Sequence, residues 1–426
     1  MIPRGHRKNK IQIRRFVKKN GRYLMVYTTF NLEELVSIST GKINSNESNV
    51  NGIYPFFTCA PEPLRINWYS FEADAILLAG NNANGIYHIQ RYNGKFNAYQ
   101  RTYIITTTRT DVSLDYLYYL LKLRLNYLHD VSQGTATKFL TKNILNKISI
   151  NLPSIEVQDN VAHILTTLEN KVKVNKQLNK TLESIAQTLF KHWFIDFEFP
   201  DENGQPYKSS GGEMVESEFG EIPKNWEIKK LNQIVDLKIG RTPPTSQKEW
   251  FSTNERDIPW ISIKDLGNAQ TFVTETARFL TEESVDKFKI PLIKSGTVML
   301  SFKLTVGRVA ITAMNCISNE AIAQFKIQDQ KMSTSYLYLY LKSYDFNKVG
   351  STSSIANATN SKEIGKIPII VPSKEVFTPE TISFETILEK IRINTLENRN
   401  LSKIRDLLLP KLMSGKIRVP VRDTND

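Results

Sequence analysis

The chain has 426 residues, a formal net charge of +13 and a pI near 9.4. Its hydrophobic content of 40% supports ordinary cores and excludes a disordered polycation, and its longest apolar runs, Tyr116–Leu121 and Tyr336–Leu341, are far shorter than the roughly 20 residues of a membrane span. Two cysteines, Cys59 and Cys316, exclude a disulfide scaffold and favour a reducing, cytoplasmic location.

The first predicted element is a basic extension over residues 1–31. Its first 30 residues contain nine Lys and Arg and neither Asp nor Glu. A disordered tail, an extension from an early start codon and a DNA-contacting arm all fit this composition, and we favour the first two. The excess positive charge of the whole chain favours a polyanionic partner, with nucleic acid ahead of a membrane surface.

A mixed domain with helices and strands is predicted over residues 32–154. The Tyr/Leu-rich segment Ser113–Lys122 predicts a helix, and Ile148–Leu152 predicts a strand that Pro153 ends. Both segments recur in the second half of the chain, in the same order, as Ser333–Lys342 and Ile367–Val371. This ordered repetition predicts a tandem duplication.

A long helix follows over residues 155–200, and its counterpart is predicted over residues 373–418. Each carries apolar residues and two asparagines in alternating steps of three and four, which is a heptad pattern. The predicted seam residues are Leu168, Val172, Asn175, Asn179, Leu182, Leu189, Ile387, Ile391, Asn394, Asn398, Leu401 and Leu408. We interpret the two helices as a pair whose asparagines fix the register; two surface helices, each packed on its own domain, are the alternative.

Residues 201–224 lie between the two halves. They form an acidic segment rich in Gly, Pro and Ser, and this composition predicts a polar linker. The second mixed domain is predicted over residues 225–372, and a short tail over 419–426. The fold class is therefore α+β, with two repeated domains separated by two long helices that form an antiparallel coiled coil.

Catalytic motifs are missing from the sequence. Ser or Thr never follows a Gly-Lys pair, so a P-loop is excluded, and two cysteines with five scattered histidines predict no zinc site. Thr242–Thr245 contains the one Pro-Pro pair but lacks the flanking residues that a DNA aminomethyltransferase needs. Asp201 with Glu227 and Lys229 superficially fits a nuclease pattern, but Asp201 begins the predicted linker.

Two loops of the first domain are candidates for contact with nucleic acid. Arg reads guanine, Asn and Gln read adenine, and Lys or small hydroxyl residues near glycine bind phosphate. The candidates there are Arg91, Lys95, Asn97, Tyr99, Gln100, Arg101, Thr135 and Lys138. A hairpin around Gly94 with a solvated tip and an ordinary loop at Gln133–Lys138 are the structural alternatives.

The corresponding candidates of the second domain are Arg241, Lys264, Lys303, Arg308, Ser351 and Thr352. Trp260 is interpreted as a core residue rather than a base-stacking platform.

Several motifs, in order, resemble the specificity subunits of type I restriction–modification systems. Those of the two recognition domains are Gly52–Cys59, Ala79–Asn82, Gly94–Tyr103, Asp257–Leu266 and Ser301–Ile311. Those of the central and C-terminal segments are Phe190–Phe197, Gly220–Trp226 and Leu409–Ile417. The resemblance covers roughly residues 30–418, whereas Met1–Thr29 has no recognised counterpart.

The resemblance implies a non-catalytic subunit whose two target-recognition domains each read one half of a split, asymmetric site in double-stranded DNA. It implies two methyltransferase subunits and restriction/translocase subunits as partners, and places S-adenosylmethionine, ATP and Mg²⁺ in those partners. No cofactor and no metal are expected in this chain, and no membrane partner. The alternative is a non-enzymatic tandem module that binds RNA or protein.

Overall fold

A computed structural model describes residues 18–19, 22–23, 27–82, 85–134, 137–218, 220–303, 305–328, 332–348, 360–373, 376 and 384–420. The chain divides into two compact units. Residues up to 170 and from 401 onward form the first unit, and residues 171–400 form the second.

The first unit combines short strands with helices. Its strands are β1 (Lys18–Lys19), β2 (Arg22–Tyr23), β3 (Thr28–Asn31), β4 (Ser37–Thr40), β5 (Tyr54–Phe57), β6 (Leu64–Ile66), β7 (Phe71–Ala79), β8 (Asn81–Asn82), β9 (Ile89–Ala98), β10 (Thr102–Thr106), β11 (Lys138–Phe139) and β12 (Ser149–Leu152). Its short helices are α1 (Leu114–Leu123), α2 (Leu125–Val131) and α3 (Lys142–Asn146). Six strands form one sheet in the order β4-β10-β7-β9-β5-β6.

Strand β7 shows why both faces of this sheet are covered. Ala75 and Leu77 point to one face and pack with Phe96, while Ile76 and Leu78 join the larger core on the other face. Successive strand residues point to opposite faces, so a continuous apolar run indicates burial on both sides. Helix α1 contributes to the larger core, which confirms the helix predicted from the Tyr/Leu pattern.

The predicted strand before Pro153 is β12, and it pairs with β3 in antiparallel register. Strand β3 lies inside the segment that the sequence predicts to be an extension. Its pairing partner is more than 100 residues away, from Thr28 to Leu152, so a local pattern gave no sign of it.

The second unit repeats these features. Its strands are β13 (Met214–Val215), β14 (Ile222–Pro223), β15 (Glu227–Lys230), β16 (Val235–Ile239), β17 (Phe251–Ser252), β18 (Ile258–Ile261), β19 (Phe272–Val273), β20 (Arg278–Leu280), β21 (Val298–Ser301), β22 (Val309–Thr312), β23 (Ile317–Ser318), β24 (Ile322–Ile327) and β25 (Pro368–Val371). Helix α4 is the long helix Ile155–Phe194. The short helices of the second unit are α5 (Leu231–Ile234), α6 (Ile263–Asn268), α7 (Glu282–Lys287), α8 (Thr334–Ser343) and α9 (Ser361–Gly365).

Two sheets form the strand framework of the second unit, ordered β16-β24-β21-β22-β19 and β17-β20-β18-β23. Helix α8 corresponds to α1, and the antiparallel pair of β15 with β25 corresponds to that of β3 with β12. The predicted duplication is therefore present in the fold.

The segment predicted to be a polar linker is packed within the second unit. The ring of Tyr207 stacks on Phe199 at 4.6 Å between centroids, and Phe199 stacks on Trp226 at 5.0 Å. The segment also contributes β13 and β14, which pair with each other. Aromatic side chains on either side of the Gly- and Ser-rich stretch provide the packing that its average composition conceals.

The two long helices are α4 (Ile155–Phe194) and α10 (Phe384–Met413). Within the second unit Phe190 lies 6.2 Å from Phe384 between ring centroids, and Asn175 donates to Glu397 at 2.7 Å. Residue numbers fall along one helix as they rise along the other, so the helices are antiparallel and the predicted pairing is confirmed. Each of the proposed seam residues is buried or half-buried.

The asparagines form a polar layer inside this pair. Asn394 Nδ2 donates to Asn179 Oδ1 at 2.9 Å, and Asn179 Nδ2 donates to Thr395 Oγ1 at 3.1 Å. Both asparagines are almost fully buried. A hydrogen bond between two buried amides forms in one alignment of the helices, so this layer specifies the register.

We expect the substitution N394L to lower the free energy of unfolding by about 1–3 kcal/mol, because Asn179 Oδ1 is then buried without a partner. The double variant N179L/N394L replaces both amides with apolar groups and should recover most of that loss. A double-mutant cycle by urea unfolding measures the coupling. If the double variant loses the sum of the free energies that the two single variants lose, the hydrogen bond between Asn179 and Asn394 is contradicted.

Candidate nucleic-acid interface

The turn between β9 and β10 carries three of the predicted contact residues, Tyr99, Gln100 and Arg101. Tyr99 N donates to Phe57 O at 2.9 Å and Thr102 N donates to Tyr99 O at 2.8 Å, which fixes the turn on the neighbouring strand. The side chains of Gln100 and Arg101 are exposed. The rigid sheet therefore presents an amide and a guanidinium to solvent at one end.

A concave pocket of about 370 Å³ lies beside this turn. Its lining residues are Ser45, Thr58, Cys59, Ala60, Asn81, Asn82 and Tyr99. None of these carries a carboxylate. Cys59 Sγ donates to Asn81 Oδ1 at 2.8 Å, and Gln100 Nε2 donates to Asn44 Oδ1 at 3.0 Å near the rim. We call this pocket, together with Gln100, Arg101 and Lys138, the amide pocket.

Strand pairing brings Lys138 to the same place. Lys138 is opposite Asn82 in the β8–β11 pair, and Gly80 N donates to Arg101 O at 2.7 Å. These contacts unite segments that are far apart in sequence. Asn81, Asn82 and Cys59 belong to motifs that carried the family resemblance, but they were not among the predicted contact residues. The signal that could have found them was the pair of adjacent amides after a buried strand.

Lys95 lies in the middle of β9 rather than at the tip of a hairpin, because β9 continues through Gly94 with a φ of 136°. The Lys95 Nζ atom lies 4.8 Å from the centroid of the Tyr69 ring. Hydrogen bonding to Tyr69, followed by the carboxylate of Glu72, raises the pKa of Lys95. Lys95 therefore stays positively charged. It is not one of the residues that line the amide pocket.

Two of the predicted contact residues have internal partners. Arg91 contacts Asp74 with both of its terminal nitrogens, at 2.5 and 2.7 Å, and its Nε donates to Asp115 at 2.7 Å. Asn97 is 1% exposed and donates to the carbonyl of Trp68 at 3.1 Å. Arg91 joins the sheet to α1 and Asn97 lies in the core, so we leave both out of the interface.

In the second unit, α6 and the loop between β21 and β22 carry three of the four predicted cations, and a hydrogen bond joins the loop to the helix. Arg308 Nη1 donates to the carbonyl of Ile263 at 2.9 Å, at the first residue of α6. Lys264 is exposed on the same helix, and Lys303 is exposed at the other end of the β21–β22 loop. We call Lys264, Lys303 and Arg308 the α6 cation cluster.

Arg241 lies apart from this cluster. Its Nη1 donates to Phe288 O at 2.9 Å, and its carbonyl accepts a hydrogen bond from Trp260 Nε1 at 3.3 Å. Trp260 is 7% exposed and packs with Leu280 and Ile317, in agreement with its interpretation as a core residue. The predicted contacts Thr135, Ser351 and Thr352 lie outside the described residues.

Across the ranges that the structure describes, no group of three or more His, Cys, Asp or Glu residues is arranged to hold a metal ion. No helix in those ranges is long and apolar enough to cross a membrane.

The family model for the type I restriction modification DNA specificity domain matches this chain twice, at residues 26–184 and 223–404. A similar protein is the type I restriction enzyme HindI specificity subunit of Haemophilus influenzae, 32% identical over 330 residues, which cover 65% of this chain and 71% of that protein. The EcoDI specificity subunit of Escherichia coli is 26% identical over 432 residues, covering 95% of this chain and 92% of its own length.

A solved structure with a similar fold is the type I restriction–modification S subunit from M. genitalium. It superposes with a TM-score of 0.61 at 15% identity, over 91% of this chain and 96% of that structure. At that identity the likeness concerns the fold, and it spans both units.

Proposed function

The chain belongs to the type I restriction modification DNA specificity family, and from that premise we propose that its two units read the two halves of one split, asymmetric DNA site. The chain is a specificity subunit and has no catalytic role of its own. The observation that carries the proposal is the duplication: each unit presents its own exposed donors on a rigid sheet framework, and the long helices α4 and α10 connect the two.

In the first unit, the proposed contact surface is the amide pocket. Asparagine and glutamine amides can pair with adenine through two hydrogen bonds, and Arg101 can pair with guanine in the same way. Lys138 is suited to phosphate, because an ammonium group positions the duplex without reading its sequence. Tyr99 supplies an aromatic wall. Lys95 is proposed to contact the backbone away from the pocket.

In the second unit, the proposed contact surface is the α6 cation cluster, with Arg241 as a separate contact. The guanidinium of Arg308 is oriented by its hydrogen bond to Ile263 O, and a fixed guanidinium suits base reading better than a mobile one. Lys264 and Lys303 are exposed and are proposed to bind phosphates. Thr135, Ser351 and Thr352 remain proposed backbone contacts from the sequence alone.

Two methyltransferase subunits and restriction/translocase subunits are the proposed partners. S-adenosylmethionine, ATP and Mg²⁺ would be bound by those subunits in the cytoplasm, and this chain would supply the DNA sequence and the spacing. The domain boundaries at residues 32–154 and 225–372 remain predictions.

Alkylation of Cys59 tests the proposed contact surface. Cys59 lines the amide pocket, so bound DNA should protect its thiol from iodoacetamide. In the complex with methyltransferase, a duplex that carries the methylated motif at saturating concentration should slow alkylation about tenfold, in proportion to the unoccupied fraction. Cys316 is an internal control, because burial raises the pKa of its thiol to about 12 and keeps it unreactive. Mass spectrometry reports both sites.

A duplex with the first half-site scrambled should protect Cys59 much less. Equal alkylation rates with and without the saturating duplex, under conditions where binding is measured independently, would exclude the amide pocket from the interface. Protection by RNA but not by DNA would instead support an RNA-binding module.

A further inference from the structure

Helix α4 carries a glutamate that holds the Tyr/Leu helix α1 in the first unit. Glu169 accepts hydrogen bonds from Tyr119 Oη at 3.0 Å and from Lys122 Nζ at 2.5 Å. Arg405 of α10 contacts the same carboxylate at 3.3 Å. The Glu169 side chain is 23% exposed and Tyr119 is 2% exposed. One half-buried carboxylate therefore joins three elements of this unit.

The same helix provides an equivalent contact in the second unit. Glu183 accepts a hydrogen bond from Tyr338 Oη at 2.7 Å, and Lys342 Nζ lies 3.8 Å from the same oxygen. Tyr338 and Lys342 belong to α8, the counterpart of α1. Tyr338 is fully buried and the Glu183 side chain is 17% exposed. We call these two contact groups the Glu169 clasp and the Glu183 clasp.

The two clasps depart from the repeat in an informative way. In the duplication Leu168 corresponds to Ile387, so the counterpart of Glu169 is Leu388 on α10, which is a core residue. The second clasp nevertheless exists, and its carboxylate comes from α4 again. One helix therefore anchors both Tyr/Leu helices, although a simple duplication would have used one helix for each.

Directional contacts of this kind restrict rotation in a way that apolar packing does not. A buried tyrosine hydroxyl needs an acceptor, and leaving it without one costs the desolvation of that group. A Tyr–carboxylate hydrogen bond weakens steeply when its donor angle falls below about 120°, so it adds an angular restraint to the close packing of the apolar side chains. Each clasp thus defines the angle between α4 and the helix that it holds.

We propose that Glu169 and Glu183 are positioning residues that fix the orientation of each recognition domain on α4 and thereby restrict the number of base pairs that the complex accepts between its half-sites. The proposal rests on the proposed function, since it concerns the gap of a split DNA site. Neither glutamate is proposed to touch DNA.

The test measures gap selectivity in the complete complex. We define gap selectivity as the methylation rate at the native gap divided by the rate at gaps one base pair longer or shorter, with both half-sites unchanged. For E169L and for E183L we expect gap selectivity to fall about tenfold, because each loses a hydrogen bond to a charged acceptor. Y338F should also lower gap selectivity, because it removes the hydroxyl group that Glu183 binds and keeps the aromatic ring.

E183Q is the conservative variant, because its amide oxygen still accepts from Tyr338, and it should keep most of the selectivity. D159N is the matched control: Asp159 is an exposed carboxylate on the same helix, and this variant should behave as the wild type. If E183L does not fold, Y338F and E183Q decide the question.

Unchanged gap selectivity in folded E169L and Y338F would overturn the proposal, even when overall methylation is slower. Altered half-site sequences would also overturn it, since they would place the glutamates in base reading. If the wild-type complex methylates no split site at all, the proposed function fails first, and the two failures are therefore distinguishable.

Discussion

Exchange of the first recognition domain for that of another family member is expected to replace one half of the recognised DNA sequence and to leave the other half unchanged. The first unit has its own sheet and its own core, and the residues that line its amide pocket all belong to that unit. The exchange should cover residues 27–154, because β3 pairs with β12 and the two strands must move together. Sequencing of methylated positions reads both half-sites in one experiment.

The matched control is the exchange of residues 225–372, which should replace the opposite half. It carries β15 together with its partner β25. Changes in both half-sites from a single exchange would contradict independent reading. A hybrid that unfolds would be recognised by thermal unfolding before its methylation pattern is interpreted.

Lengthening both long helices is expected to widen the unspecified gap by about one or two base pairs, because four residues add roughly 6 Å to a helix. The insertions belong beside Asn179 in α4 and beside Asn394 in α10, so that the antiparallel seam keeps a partner on each side of the new layer. Four residues do not complete a heptad, and local unwinding is expected to absorb the remaining rotation. Both half-site sequences should stay the same.

A control insertion of four residues between Asn203 and Gly204 lengthens an exposed turn instead. It should leave the gap unchanged, because that turn lies outside the paired helices. If tolerated insertions in both helices also leave the gap unchanged, the helices do not set the spacing, and the spacer model fails.

The sequence predicted the helices and strands whose position depends on the spacing of apolar residues along a short segment. The Tyr/Leu runs became α1 and α8, the segments before Pro153 and Pro372 became β12 and β25, and the heptad stripes became α4 and α10. In each case, the spacing of apolar residues along a short stretch fixes which face is buried. The asparagines in both stripes also indicated a polar layer between the helices, but the sequence did not predict which of them pair.

Contacts between distant segments were not accessible in this way. Nothing near Arg91 indicates that Asp74 and Asp115 will surround its guanidinium, and Asn97 is indistinguishable in sequence from an exposed amide of the same strand. The same holds for the packing of Tyr207, in the predicted linker, on Phe199. It also holds for the two clasps on α4. Each of these contacts joins residues from different segments of the sequence, so the pattern around one of the partners does not indicate the other.

In the candidate interface, the sequence predicted some of the individual residues but not the way in which they come together. Tyr99, Gln100 and Arg101 were predicted together because they are adjacent in sequence, and Lys138 was predicted from its own loop. Their convergence with Asn81 and Cys59 required the pairing of β8 with β11 and the closing of the β9–β10 turn. Composition suggested the kind of ligand, whereas strand pairing determined which side chains share a pocket.

Methylation of a library of random duplexes tests whether this chain gives the methyltransferase its specificity for a split DNA site. We expect this chain alone and the methyltransferase alone to modify no specific sequence. Together they should methylate one motif made of two fixed halves around an unspecified gap of constant length. Methyl transfer by this chain alone, or one uninterrupted motif from the complex, would contradict this expectation.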